Sequence, residues 1–173
     1  MTAPGLAPRL LVIGMGNPDR GDDAIGPLIA RQLVGRQLAG HVAQNVAIIE
    51  RSGDALALID DWAGHDAVIL VDAAAPGAAP GQVHRLDLLE DNLQAEVSMS
   101  STHAFGVAEA VGLARTLGLL PRHVVAFAIE GANFNPGAPV SPDVTAVVDD
   151  VAARIEAELR RLAQQLVGVT TYA

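Results

Sequence analysis

Apolar residues in this chain fall into short continuous runs separated by longer stretches of helical spacing. The runs Leu10 to Ile13, Val46 to Ile49, Ala67 to Val71 and Val124 to Ile129 read as strands buried on both faces. A first helix is expected over Gly26 to Leu38, with Ile25, Leu28, Ile29 and Leu33 on one side. Pro27 falls in its first turn, where a missing N–H costs little. A second is expected over Asp54 to Trp62, with Leu56, Leu58, Ile59 and Trp62 as inward candidates. A third runs from about His103 to Leu117 and stops at Gly118, and the last covers Pro142 to Leu166 with Ser141 as its cap.

Strands alternating with helices call for a parallel sheet covered on both faces. One connection breaks the rhythm. Only Ala73 to Pro80 separate the third strand from a fourth at Gly81 to Leu86, whereas a parallel return needs about a dozen residues. The fourth strand is therefore expected to run antiparallel at an edge, with the polar stretch Asp87 to Thr102 climbing back across the sheet. The predicted fold is an α/β three-layer sandwich: a five-stranded, mostly parallel, twisted sheet with one antiparallel edge strand and helices on both faces. No internal repeat or linker interrupts it, so residues 1–173 form one domain.

Composition narrows the chemistry. Half of the 173 residues are apolar and 18% are charged, which suits a full-sized core and argues against disorder. The formal charge of -9 repels phosphate backbones, so nucleic acid is a poor partner. Cysteine and lysine are both absent. Disulfides, thiolate metal sites, cysteine nucleophiles, the P-loop lysine and Schiff-base chemistry are excluded with them. The first residues carry no basic region followed by an apolar stretch, and no apolar run reaches membrane-spanning length, so a cytoplasmic protein is expected.

Three side chains with metal-ligand and acid–base capability are expected to converge. In an open parallel sheet the loops leaving the strand ends share one edge, and ligands bind there. Asp23 lies in the loop after the first strand and Asp72 closes the third. His103 opens a helix that must descend to feed the fifth strand from the opposite edge, so it starts at the ligand edge too. The other histidines serve as a control: His65 and His123 precede strands, His41 sits in a helix-to-strand turn and His84 lies inside the fourth strand. Each candidate also has a plainer reading. Asp22 and Asp23 suit a solvated pair at a helix N-terminus, and His103 suits a cap or core position beside Ser100, Ser101 and Thr102. Asp72 is the hardest to explain structurally, because it ends a wholly apolar run. Gly14-Met15-Gly16-Asn17-Pro18 is not a dinucleotide fingerprint, since no third glycine follows at the required spacing.

Taken together, these pieces carry a resemblance. The runs Gly14-Met15-Gly16-Asn17 and Gly21-Asp22-Asp23-Ala24-Ile25-Gly26-Pro27 resemble the N-terminal signature of the nickel-iron hydrogenase maturation endopeptidases. The likeness continues at Val71-Asp72-Ala73 with Pro80-Gly81, at Ser101-Thr102-His103 with Gly106, at Ile129-Glu130-Gly131 and at Ser141-Pro142-Asp143-Val144. Nearly the whole chain is covered in order. The resemblance implies the same fold and an endopeptidase that removes a short C-terminal extension from the precursor of the hydrogenase large subunit after nickel insertion. It assigns Asp23, Asp72 and His103 as metal-contacting and catalytic residues. It also implies that nickel is carried by the substrate as a completion signal. Some members have glutamate in place of Asp23, many have glycine in place of Ala24, and many have proline where this chain has Gly131.

Two carboxylates and an imidazole around a divalent ion leave coordination positions open for a polarised carbonyl and an activated water. Two carboxylates without metal can divide the acid and base roles instead. An O, O, N donor set accepts several divalent ions, so another metal can bind in vitro. Peptidyl-tRNA hydrolases share a turn similar to Gly14-Met15-Gly16-Asn17-Pro18, but they need a histidine–asparagine pair and a basic surface. A serine hydrolase lacks its Gly-x-Ser-x-Gly elbow here. A non-catalytic, metal-sensing binder of a hydrogenase subunit would use the same three residues. Phe105 and Phe134 are candidates for lining a peptide groove at this edge, with core packing the plainer role for Phe105. Nothing in the sequence speaks to oligomeric state.

Overall fold

The protein's structure is a computed structural model, and it describes residues 7–36, 38, 44–75, 77–90 and 104–170. Five strands, β1 (Leu10–Met15), β2 (Val46–Arg51), β3 (Ala67–Ala74), β4 (Val83–Asp87) and β5 (His123–Glu130), form one sheet in the order β2-β1-β3-β5-β4. All neighbours pair in parallel except β4, which runs antiparallel to β5 at the edge. The short β3–β4 connection thus has the consequence its length demanded.

The helices are α1 (Ile25–Gly35), α2 (Ala55–Trp62), α3 (Ala104–Leu117), α4 (Pro142–Thr145) and α5 (Val148–Thr170), with a 3₁₀ turn at Gly21–Ala24 leading into α1. Alternation along the strands sorts the core into two layers. Ala67, Ile69, Val71 and Ala73 of β3 face α1 and α5, among Ile29, Leu33, Val151 and Ile155. Val68 and Leu70 face α2 and α3, among Leu58, Trp62, Val107 and Val111. Fully burying one such aliphatic side chain stabilises the fold by roughly 1.5–3 kcal/mol, so both layers are needed to hold the sheet between them. Among the described residues, no helix is long and apolar enough to cross a membrane.

Several expectations shift in detail. Asp54 stands outside α2 and caps it, its carboxylate accepting from the Ala57 N–H at 3.0 Å. Leu56 is exposed rather than inward. Two residues along a helix is about 200° round it, which turns Leu56 away from the buried Leu58. The last helix is two helices: the Val147 N–H bonds the Val144 carbonyl, so the turn tightens, while the Asp143 carbonyl lies against the backbone of Gly81. Asp72 lies inside β3 rather than at its end, because β5 continues alongside and pairs with Asp72, Ala73 and Ala74.

Candidate active site

The sheet order puts a change of direction between β1 and β3: the chain leaves β1 for β2 on one side and returns to β3 on the other. Such a switch point opens a crevice beyond the strand ends. Asp23 follows β1 and Asp72 lies near the end of β3, so the two carboxylates stand on the two lips of that crevice. Each is only 8% exposed.

Glycines allow the lips to come together. Gly16 turns the chain after β1 with φ 135°, and a Cβ there would lie 1.9 Å from the Asp23 carbonyl oxygen. The turn is closed by the Asn17 N–H, which donates to Asp23 Oδ2 at 2.9 Å. A Cβ on Gly26 would sit 2.1 Å from the Met15 carbonyl oxygen and 2.6 Å from that of Val71. The first turn of α1 therefore rests directly on the ends of β1 and β3, which brings the loop carrying Asp23 to the residue preceding Asp72. Side-chain alternation points Asp72 to the same face as Val68 and Leu70, the side of α2 and α3. Its Oδ1 accepts the Ala73 N–H at 2.8 Å.

His103 lies outside the described residues, but the helix that follows it runs as expected. The first turn of α3 packs at the ligand edge, where a Cβ on Gly106 would meet the carbonyl of Gly53 in the β2–α2 connection at 3.0 Å. Among the described residues, no three histidine, aspartate or glutamate side chains form a group that could hold a metal ion. Asp23 and Asp72 are two carboxylates, one fewer than such a group needs. His41 and the Phe105 side chain also fall outside the described residues. Phe134 is half-buried and packs against the core layer of α1 and α5.

Two further acidic residues at this edge were not singled out from the sequence. Asp22 is completely buried. Its Oδ2 accepts from Ala132 N at 2.6 Å, Asn133 N at 2.9 Å and Ser141 Oγ at 2.8 Å, and its Oδ1 from Ser141 N at 2.6 Å. Burial pushes this carboxyl up, but the bonds from Ser141, Ala132 and Asn133 outweigh it, and the net shift is below the ordinary aspartate value. Asp22 is therefore no solvated helix-end residue; it rivets the segment after β5 to the loop after β1. Ser141 does stand at the N-cap of α4, yet its hydroxyl serves Asp22 and makes no cap bond. Gly131 permits the approach, since a Cβ there would lie 2.9 Å from the Asp22 Cβ and 2.5 Å from Phe134.

The second is Glu130, at the end of β5 and 4% exposed, with Oε1 3.1 Å from His84 Nε2 and Oε2 accepting the Gly77 N–H at 3.2 Å. His84 pairs across β4–β5 with Ala128, which in turn pairs with Asp72. His84, set aside as a control in the sequence, shares the level and face of Asp72, two strands away. The signal was present in the antiparallel assignment, because an edge strand running backwards starts beside the end of its neighbour. His65 and His123 lie at the opposite edge, before β3 and at the start of β5, as expected.

Comparison with known proteins identifies the family and the fold. Residues 32–158 match the family model described as hydrogenase maturation protease; Asp72, His103 and Glu130 fall inside the matched stretch and Asp23 precedes it. The chain is 27% identical to the hydrogenase 2 maturation protease of Escherichia coli, over 88% of this chain and 91% of that one. It is 29% identical to the hydrogenase expression/formation protein HupD of Bradyrhizobium diazoefficiens, over 94% and 81% respectively. The fold is similar to that of the hydrogenase maturating endopeptidase HybD of E. coli, with a TM-score of 0.76 and 26% identity over 88% of this chain and 93% of that one. A family model that spans most of the chain, laid over a sheet whose switch point carries two carboxylates, makes this protein a member of the hydrogenase maturation proteases, a family of endopeptidases.

Proposed function

We propose that this chain removes a short C-terminal extension from the precursor of the large subunit of a nickel-iron hydrogenase once nickel has been inserted. Asp23, Asp72 and His103 meet the metal-bearing end of that substrate. The observation that carries this reading is the placement of two nearly sealed carboxylates, in the loop after β1 and on β3, on either side of the switch point. Nickel belongs to the substrate, and a third donor from His103 completes an O, O, N set able to recognise it. In the cleavage, water adds across the peptide bond. A carboxylate takes a proton from the attacking water, and the departing amine gains one, leaving a new C-terminal carboxylate and a free peptide.

The test is to incubate the protein with nickel-loaded precursor and weigh the product. Loss of the C-terminal peptide is expected for the wild type, and precursor without nickel is expected to stay intact. Asp23→Asn, Asp72→Asn and His103→Gln should each slow cleavage by about 100-fold or more while leaving thermal unfolding nearly unchanged. Undiminished cleavage by all three variants would overturn the assignment.

A further inference from the structure

Glu130 is expensive to bury. A carboxylate sealed from water costs several kcal/mol unless it is well bonded, and an apolar residue at such a position commonly gives a more stable protein. All but one of the bonds it makes fall on the β3–β4 connection. Its Oε2 accepts from Gly77, its backbone carbonyl accepts from the Gly81 N–H at 2.8 Å and its backbone N–H donates to Gln82 at 2.9 Å. One residue of β5 thereby holds the β3–β4 connection at its middle and at its far end. His84, the next strand's contribution, holds the other carboxylate oxygen at 3.1 Å and is 28% exposed.

The segment so held begins just beyond Asp72. It reads Ala75-Pro76-Gly77-Ala78-Ala79-Pro80-Gly81 and carries no charged or hydrogen-bonding side chain. Gly77, Ala79 and Pro80 are exposed. Such a segment can offer a ligand only backbone groups and small apolar faces, which suits an extended peptide main chain and little else.

We propose that Glu130 is a positioning residue for the peptidase reaction: with His84 it fixes the β3–β4 connection at Gly77 and Gly81, and residues 77–81 serve as a rest for the extended main chain of the substrate's C-terminal segment, on the stretch that leaves β3 after Asp72. This rests on the peptidase reading given above. Glu130 acts through the connection and does not touch the reacting atoms.

The experiment is steady-state cleavage of nickel-loaded precursor by the full chain and its variants. Glu130→Ala should raise KM by about tenfold with little change in kcat and an unchanged pH profile. Glu130→Gln keeps an oxygen for the Gly77 N–H and offers an N–H to His84, so it should restore KM to near the wild-type value. His84→Ala, at a half-exposed position, should give a smaller rise and serves as the decisive variant if Glu130→Ala fails to fold. An unchanged KM in the folded Glu130→Ala or His84→Ala variant overturns the proposal. So does a Glu130→Gln variant that loses kcat as fully as Glu130→Ala, which would make Glu130 a reacting group. Failure of the peptidase reading shows differently, as wild-type protein that leaves the precursor at full mass. Glu130→Ala is then read from the Kd of the precursor complex, and an unchanged Kd overturns the positioning role.

Discussion

Asp22 at the crevice and Glu158 on α5 are both sealed from water, at 0% and 8% exposure, yet they are satisfied by different partners. Asp22 is held by three backbone N–H groups and a hydroxyl. Glu158 is gripped by two arginines, Arg85 of β4 at 2.7 Å and Arg161 of α5 at 2.5 Å. Dipoles satisfy a carboxylate without cancelling its charge; guanidinium groups cancel it. The flank under β4 therefore holds no uncompensated carboxylate at Glu158, while Asp22 leaves its negative charge at the edge that also holds Asp23, Asp72 and Glu130. That residual field is negative, and on the proposed function it would draw the nickel-bearing end of the substrate.

The largest effect expected from breaking this contrast is on stability. Asp22→Ala strands four donors that face a sealed site and should cost about 3 kcal/mol, read as a lower urea midpoint at unchanged m-value. Glu158→Ala should cost only about 1 kcal/mol, because Arg85 and Arg161, at 40% and 42% side-chain exposure, can turn to water. Equal losses would show that the nature of the partner does not matter.

The adjacent carboxylates sharpen the comparison on activity. Asp22→Asn should lower thermal stability while retaining cleavage wherever it stays folded, whereas Asp23→Asn should lose cleavage with thermal unfolding nearly unchanged. If Asp22→Asn abolishes cleavage in a fully folded protein, the division between rivet and reactive group is wrong.

Acid should act on both centres. Burial opposes ionisation at each, but hydrogen bonds at Asp22, and the bonds and charges of Arg161 and Arg85 at Glu158, hold the two carboxyls below their ordinary values of 3.8 and 4.5. A lowered folded value means that the unfolded chain binds protons first as pH falls. Both contributions are thus fully present above pH 4.5 and fade as pH drops through the two lowered values. Stability measured from pH 6 to 2 should fall in that window, and Asp22→Asn should flatten its lower part. The smallest expected effect is that of salt. Raising ionic strength to about 1 M should weaken the Glu158 cluster by about 0.5 kcal/mol and leave Asp22 untouched, a difference visible by comparing Asp22→Asn with Glu158→Gln across salt.

Much of the architecture was legible without coordinates. The apolar runs named four of the five strands, the eight residues between β3 and its successor named the antiparallel edge, and the sheet edge collected Asp23 and Asp72. The misreadings share a cause. Asp22 looked solvated because its donors arrive from residues 110 or more positions away. Ser141 looked like a simple cap because nothing nearby shows that its hydroxyl is already committed. The break after Thr145 lies where Gly81 of the β3–β4 connection approaches, and His84 looked inert until β4 was laid beside β5.

The order of residues by itself determined which segments become strands and helices and which edge gathers acidic side chains, since periodicity and connection length act over a few neighbours. Only the tertiary structure decided that Asp22 is a rivet, that β3 continues past Asp72, and that Glu130 and His84 flank the crevice. Burial and hydrogen-bond partners are properties of surfaces brought together from distant parts of the chain, and a carboxylate's role is set by which donors reach it.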